Sequence, residues 1–114
     1  MTLIATSFGS LWTRKKRDVP ASSTIVMDRI PLARFEGVKY ILTGKNDTQD
    51  VRVHMEVSAV KIQGGDVKFN KNNKLGDGVK LNPNVTISGT DVILELANGE
   101  TFDVTVQQSK LITF

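Results

Sequence analysis

The chain has 114 residues, 39% apolar and 24% charged, with a formal net charge of +3. That length holds one domain with a modest core that needs no covalent staple. There is no cysteine and only one histidine, which excludes disulfides, thiolate metal sites, thiol catalysis and any cluster of imidazole ligands.

The first 22 residues stand apart from the rest. Leu3, Ile4, Phe8, Leu11 and Trp12 are large and apolar, and Arg14, Lys15, Lys16 and Arg17 follow without a break. Against these four cations stands only Asp18, so the whole excess charge lies here and residues 23–114 are neutral. A secretory signal places its basic residues before the apolar ones. No apolar run approaches the roughly 18–20 residues that span a bilayer. The expectation is a soluble chain made in the cytoplasm, with no membrane contact.

Three roles compete for this segment. As a nucleic-acid arm it offers about four phosphate contacts, which bind weakly and salt-sensitively, and the neutral remainder lacks the basic bias of a nucleic-acid domain. As a targeting tag the basic run is short. As an assembly arm it uses more of its residues: apolar side chains in a segment too short for a core become anchors, and Trp beside Arg is a favoured hot-spot pairing. The predicted assembly contacts are Phe8, Leu11, Trp12, Arg14, Lys15, Lys16 and Arg17. Residues 1–22 are then an extended N-terminal arm and 23–114 the domain. The arm orders only against other subunits, and deleting residues 1–19 leaves the body folded.

After Pro20, apolar residues recur at every second position, the pattern of half-buried strands. "STIVMDRI" (23–30) is the first, stopped by Pro31. "FEGVKYILT" (35–43) places Val38, Tyr40 and Leu42 on one face. In "DVRVHMEVSAVKI" (50–62), Val51, Val53, Met55, Val57 and Ala59 face one way and Arg52, His54, Glu56 and Ser58 the other. Gly64 and Gly65 turn the chain into "GDVKFNK" (65–71), a hairpin partner. Residues 70–84 are polar and glycine-bearing and read as a longer loop with room for a short strand. "VTIS" (85–88) and "DVILELA" (91–97) flank a turn at Gly89 and Thr90. Asn98 and Gly99, a strong hairpin signal, lead into "ETFDVTVQQSKLIT" (100–113). Val53, Met55, Val57, Tyr40, Leu42, Leu94, Leu96, Phe102 and Val104 are the predicted core. Seven or eight short strands at this spacing give an all-β fold, a small β-sandwich or jelly-roll-like domain.

Chemistry is sparse. No P-loop pattern is present. The acids are scattered over strand ends and loops, without the close pair that glycoside hydrolysis needs. His54 lies on the polar face of its strand and reads as a surface or interface histidine. Residues 66–84 could offer oxygen ligands to Ca²⁺, but no EF-hand or repeat pattern organises them. The reading is of a protein that is not an enzyme and has no cofactor or metal.

From residue 33 on, "GVKYILT", "QDVRVHMEVSAVKIQGGDV" and "KLGDGVKLNPNVTISGTDVILELANGETFDVTVQQSKLIT" resemble a small β-domain of tailed-bacteriophage virion proteins. Lys39 and Tyr40 match its opening strand. Gly64, Gly65 and Asp66 stand where that domain has an H-D-G turn. Leu75 and Gly76 match its loop, and Ser88 through Asn98 its late hairpin. The resemblance implies a structural component of the virion: a capsid decoration, neck, collar or tail protein. It implies other virion subunits and copies of itself as partners, and no catalytic residues. The alternative is a carbohydrate- or receptor-binding β-sandwich module, which has few exposed aromatics to work with.

Overall fold

The structure is a computed structural model that describes the backbone of residues 4–5 and 10–113 and the side chains of residues 13–113. The described chain is all-β. Nine strands follow one another: β1 (Ile4–Ala5), β2 (Ser10–Val19), β3 (Thr24–Pro31), β4 (Gly37–Asn46), β5 (Val51–Lys61), β6 (Val67–Gly76), β7 (Leu81–Ser88), β8 (Asp91–Asn98) and β9 (Val104–Thr113). A single 3₁₀ turn, Leu32–Arg34, lies between β3 and β4. The strands form two antiparallel sheets, a six-stranded one in the order β1-β2-β9-β4-β5-β6 and a three-stranded one in the order β3-β8-β7. No described helix is long and apolar enough to cross a membrane.

Alternation in the sequence becomes the inside and outside of this sandwich. In β4, Val38, Tyr40 and Leu42 are buried; in β5, Val53, Met55, Val57 and Ala59 are. They meet Leu94 and Leu96 of β8 and Val104 and Val106 of β9 in one apolar cluster, with Phe102 packed at its margin. The expected core residues all lie in or against this cluster. Gly44 sits against this core: a Cβ there would come within 2.9 Å of Val104 and 3.0 Å of Val53. The β5–β6 hairpin turns at Gly64 and Gly65, both at positive φ, and the β7–β8 hairpin at Gly89.

Three expectations change. The first concerns the arm. Ser10–Val19 is a strand paired with β9 over ten residues, from Ser10 opposite Thr113 to Val19 opposite Val104. Val19 is fully buried. The boundary at residues 22 and 23 thus falls in the turn joining β2 to β3, and removing residues 1–19 would strip a strand from the large sheet. The second concerns Asn98 and Gly99. They do not close a two-residue hairpin, since β8 and β9 belong to different sheets. Asn98 is buried and its side-chain amide donates to the carbonyls of Val19 at 3.1 Å and Phe102 at 2.8 Å, while its Oδ1 accepts from Glu100 N at 2.9 Å. It pins the place where the chain changes sheets. The third is the polar stretch 70–84, which supplies the rest of β6 and the start of β7. β6 is exposed along nearly all its length, which is why its composition resembles a loop.

Candidate interaction site

β2 divides the basic run between its two faces. A strand turns successive side chains to opposite sides, so Lys15 and Arg17 point with Val19 toward the small sheet, and Arg14, Lys16 and Asp18 point away. On the inward side, Lys15 Nζ donates to the carbonyl of Met27 at 2.6 Å and Arg17 Nη1 to that of Val26 at 2.7 Å. These carbonyls belong to β3, an edge strand of the small sheet that pairs only with β8. A shift in the β3–β8 register between Val26 and Asp28 leaves Met27 as an extra residue. That bulge breaks the alternation and turns both Met27 and Asp28 inward.

Asp28 is the charge at the base of this corner. It is 7% exposed and accepts from Tyr40 Oη at 2.8 Å and Lys110 Nζ at 3.0 Å, with Lys15 Nζ at 3.6 Å. Burial, and then the neighbouring Asp28 carboxylate, push the Tyr40 phenol far above its ordinary range. Tyr40 therefore remains a neutral donor and Asp28 its acceptor. Between β2 and β3 lies an open cleft of about 610 Å³, lined by Lys15, Arg17 and the run Ile25–Arg29.

On the outward side, Arg14 and Lys16 are exposed, and neither has an ion pair or hydrogen bond to the described residues. Asp18 accepts from Thr105 Oγ1 at 2.7 Å. The same face continues across the large sheet. There Lys39 pairs with Glu56 at 2.9 Å, and Thr43 Oγ1 lies 3.3 Å from His54 Nδ1. Hydrogen bonds from Asn73 and from Lys39 hold the Glu56 carboxyl below its usual range.

Of the predicted contact residues, Phe8 lies outside the described residues. Leu11 and Trp12 are in β2, in register with Ile112 and Leu111. The four cations are brought together on one strand but divided, two outward and two into the cleft. Asp28, Tyr40 and Lys110 were not singled out as a site in the sequence. Two signals could have found them: an Asp inside the apolar run "TIVMDRI", and a Tyr in core register whose hydroxyl needs a partner.

No protein-family model matches the chain, and no curated protein sequence does. Among solved structures, the chain matches the tailspike protein gp49 of Acinetobacter baumannii bacteriophage Fri1, a capsular polysaccharide depolymerase. The TM-score is 0.64 at 14% identity, over 98% of this chain and 19% of that one. It also matches the tailspike protein of Acinetobacter baumannii phage AM24, with a TM-score of 0.45 at 10% identity, over 91% of this chain and 26% of that one. The chain has the fold of a portion of the gp49 tailspike and spans 19% of its length.

This match overturns the expectation of a protein that is not an enzyme, because gp49 is a depolymerase. That expectation rested on the lack of a catalytic constellation within 114 residues. In gp49 this fold occupies 19% of the chain, so the motifs of a stretch this size are no guide to the activity of the whole protein.

Proposed function

We propose that the chain is a β-domain of a tailed-phage virion protein of the tailspike type, working through contacts with other virion subunits and copies of itself. The observation that carries this reading is the shared fold, which takes in 98% of the chain. The resemblance of residues 33–114 to virion β-domains points the same way. The outward face of β2 supplies a contact surface. Arg14 and Lys16 stand there without a partner among the described residues, placed to meet acidic groups on a neighbour, and Leu11 and Trp12 continue the same strand. Immunogold labelling of purified particles tests the placement, with label on the tail expected. Particles without label would overturn it. In the Arg14→Gln, Lys16→Gln double variant, incorporation should fall more at low salt than at high salt, because screening already weakens exposed charges at high ionic strength.

A second reading has one observation in its favour, the polysaccharide named for gp49. Under it the domain binds surface carbohydrate of the host. Comparing binding to capsulated and capsule-free cells of one strain tests it, and equal binding to both would refute it.

A further inference from the structure

We infer that the cleft between β2 and β3 receives an extended peptide segment bearing carboxylates, which Lys15, Arg17 and Arg29 hold by charge. The inference goes beyond the outward face of β2 and does not depend on it.

The charge balance comes first. Lys15, Arg17, Arg29 and Lys110 meet at or under this cleft, against Asp28 and Asp91. Asp28 is already engaged by Tyr40 and Lys110. Arg29 lies 3.6 Å from Asp91, with its own side chain 56% exposed, and Lys15 is 42% exposed. Cations outnumber anions by two, in a concave space of about 610 Å³. Donors also remain. An ammonium has three N–H groups and a guanidinium five, and the cleft uses one of each on the β3 carbonyls.

The bonds now made are the replaceable kind. Lys15 and Arg17 donate to neutral carbonyls, and a carboxylate, which also brings the opposite charge, is the stronger acceptor. If incoming carboxylates take these donors, the carbonyls of Val26 and Met27 are released on the open side of an edge strand. They then need N–H donors, and an extended peptide laid along β3 supplies them in the manner of strand addition. Side-chain carboxylates on Lys15 and Arg17, with main-chain N–H groups on Val26 and Met27, describe one ligand. An acidic saccharide fits less well. Among the described residues no aromatic ring lines the cleft for a sugar to stack on, and Ile25, Val26 and Met27 give its lining an apolar part.

The test uses the full chain, ¹⁵N-labelled, titrated with a ten-residue peptide of alternating Glu and Val. Amide resonances of residues 15, 17 and 25–29 should shift. A peptide of alternating Lys and Val should leave them in place, and binding should weaken as salt rises. Arg29→Gln should lower affinity about tenfold, as expected for a lost bond between charged groups. Because Arg29 is half-exposed, that variant should fold as the parent does. Lys74→Gln on β6 removes the same charge far from the cleft and should leave affinity within about twofold. Any one of four results would overturn the inference: no shift with the Glu peptide, shifts confined to other strands, undiminished affinity in folded Arg29→Gln, or tighter binding of an oligogalacturonate than of the peptide.

Discussion

Tyr40 is wholly buried, yet it carries a hydroxyl, and that hydroxyl has one acceptor, Asp28. The pairing has a consequence for pH. The phenol titrates near 10.0 in an unfolded chain and well above that when folded. Its stabilising contribution is therefore complete below pH 10 and drains away as pH rises beyond it, because the unfolded chain releases the proton first. Tyr40→Phe removes this dependence and takes one donor from a buried carboxylate. It should cost about 1–3 kcal/mol at neutral pH. Above pH 10 the gap between the two proteins should narrow. Urea melts of both from pH 7 to 11 measure it, and a gap that stays constant would show that Tyr40 titrates normally in the fold. Gln108 presents the opposite case. It is 1% exposed, and its Oε1 has no hydrogen-bond partner among the described residues. A buried acceptor left unpaired costs about 1–3 kcal/mol. Gln108→Met keeps the length of the side chain and removes the acceptor. It should raise stability by about 1 kcal/mol, and a loss of stability in the same melt would mean that the amide has a partner in solution.

At the scale of the element, the division of labour within β2 matters most. Its inward cations bridge to the exposed edge of β3, and its outward ones are left for other contacts. The guanidinium and ammonium stems can lie along apolar surface while their heads reach polar groups, so a strand with four Lys and Arg in its ten residues can still line a sandwich. This is also why β2 was hidden in the sequence. Its cations occur at four successive positions, and no alternation of polar with apolar marks the two faces. β5 was legible because Val53, Met55 and Val57 alternate with Arg52, His54 and Glu56 without a break. β3 was half legible: its apolar run was visible, but the bulge that buries Met27 and Asp28 together depends on the β8 partner. Asn98 misled because the residue that favours a tight turn is equally suited to bonding four surrounding main-chain groups. The candidate site was thus legible as a basic run but not as a cleft, because Asp28, Tyr40 and Lys110 are brought together only by folding. Removing residues 1–19 tests the element directly. It takes away the cover of β9 and the buried Val19. The truncated protein should lose its cooperative thermal transition or melt at least about 10 °C lower, as a loss of two or more kcal/mol implies. A truncated chain melting with the parent would return β2 to the role of a dispensable arm.

At the scale of the whole molecule, the two sheets are unequal, six strands against three, and β6 extends into solvent on the side away from β2. An exposed edge invites pairing with other chains. β6 carries the usual defences, with Lys68, Lys71 and Lys74 along its length and a register shift against β5 in which Asn73 takes a positive φ. On the opposite side of the sheet β2 lies on β9, and the two-residue β1 lies on β2.

That pairing sets how the chain must fold. Ser10 pairs with Thr113 and Val19 with Val104, so the β2–β9 ladder joins two strands from nearly opposite ends of the sequence. Loop-closure entropy must be met before such contacts stabilise anything, and all-β domains of this kind fold in milliseconds to seconds. A circular permutant makes the cost measurable. A short Gly/Ser linker from residue 114 to residue 10, with new ends between Gly64 and Gly65, turns β9–β2 into a local hairpin. The cut falls in a turn with positive φ at both glycines and open space around them. The pairing it makes distant is that of β5 with β6, a strand that buries little. If β2 and β9 meet in the transition state, the permutant should refold roughly tenfold faster with an unchanged dependence on denaturant, as expected when a long closure becomes short. An unchanged refolding rate would mean that β2 docks after the barrier, on a sandwich already formed by the other strands.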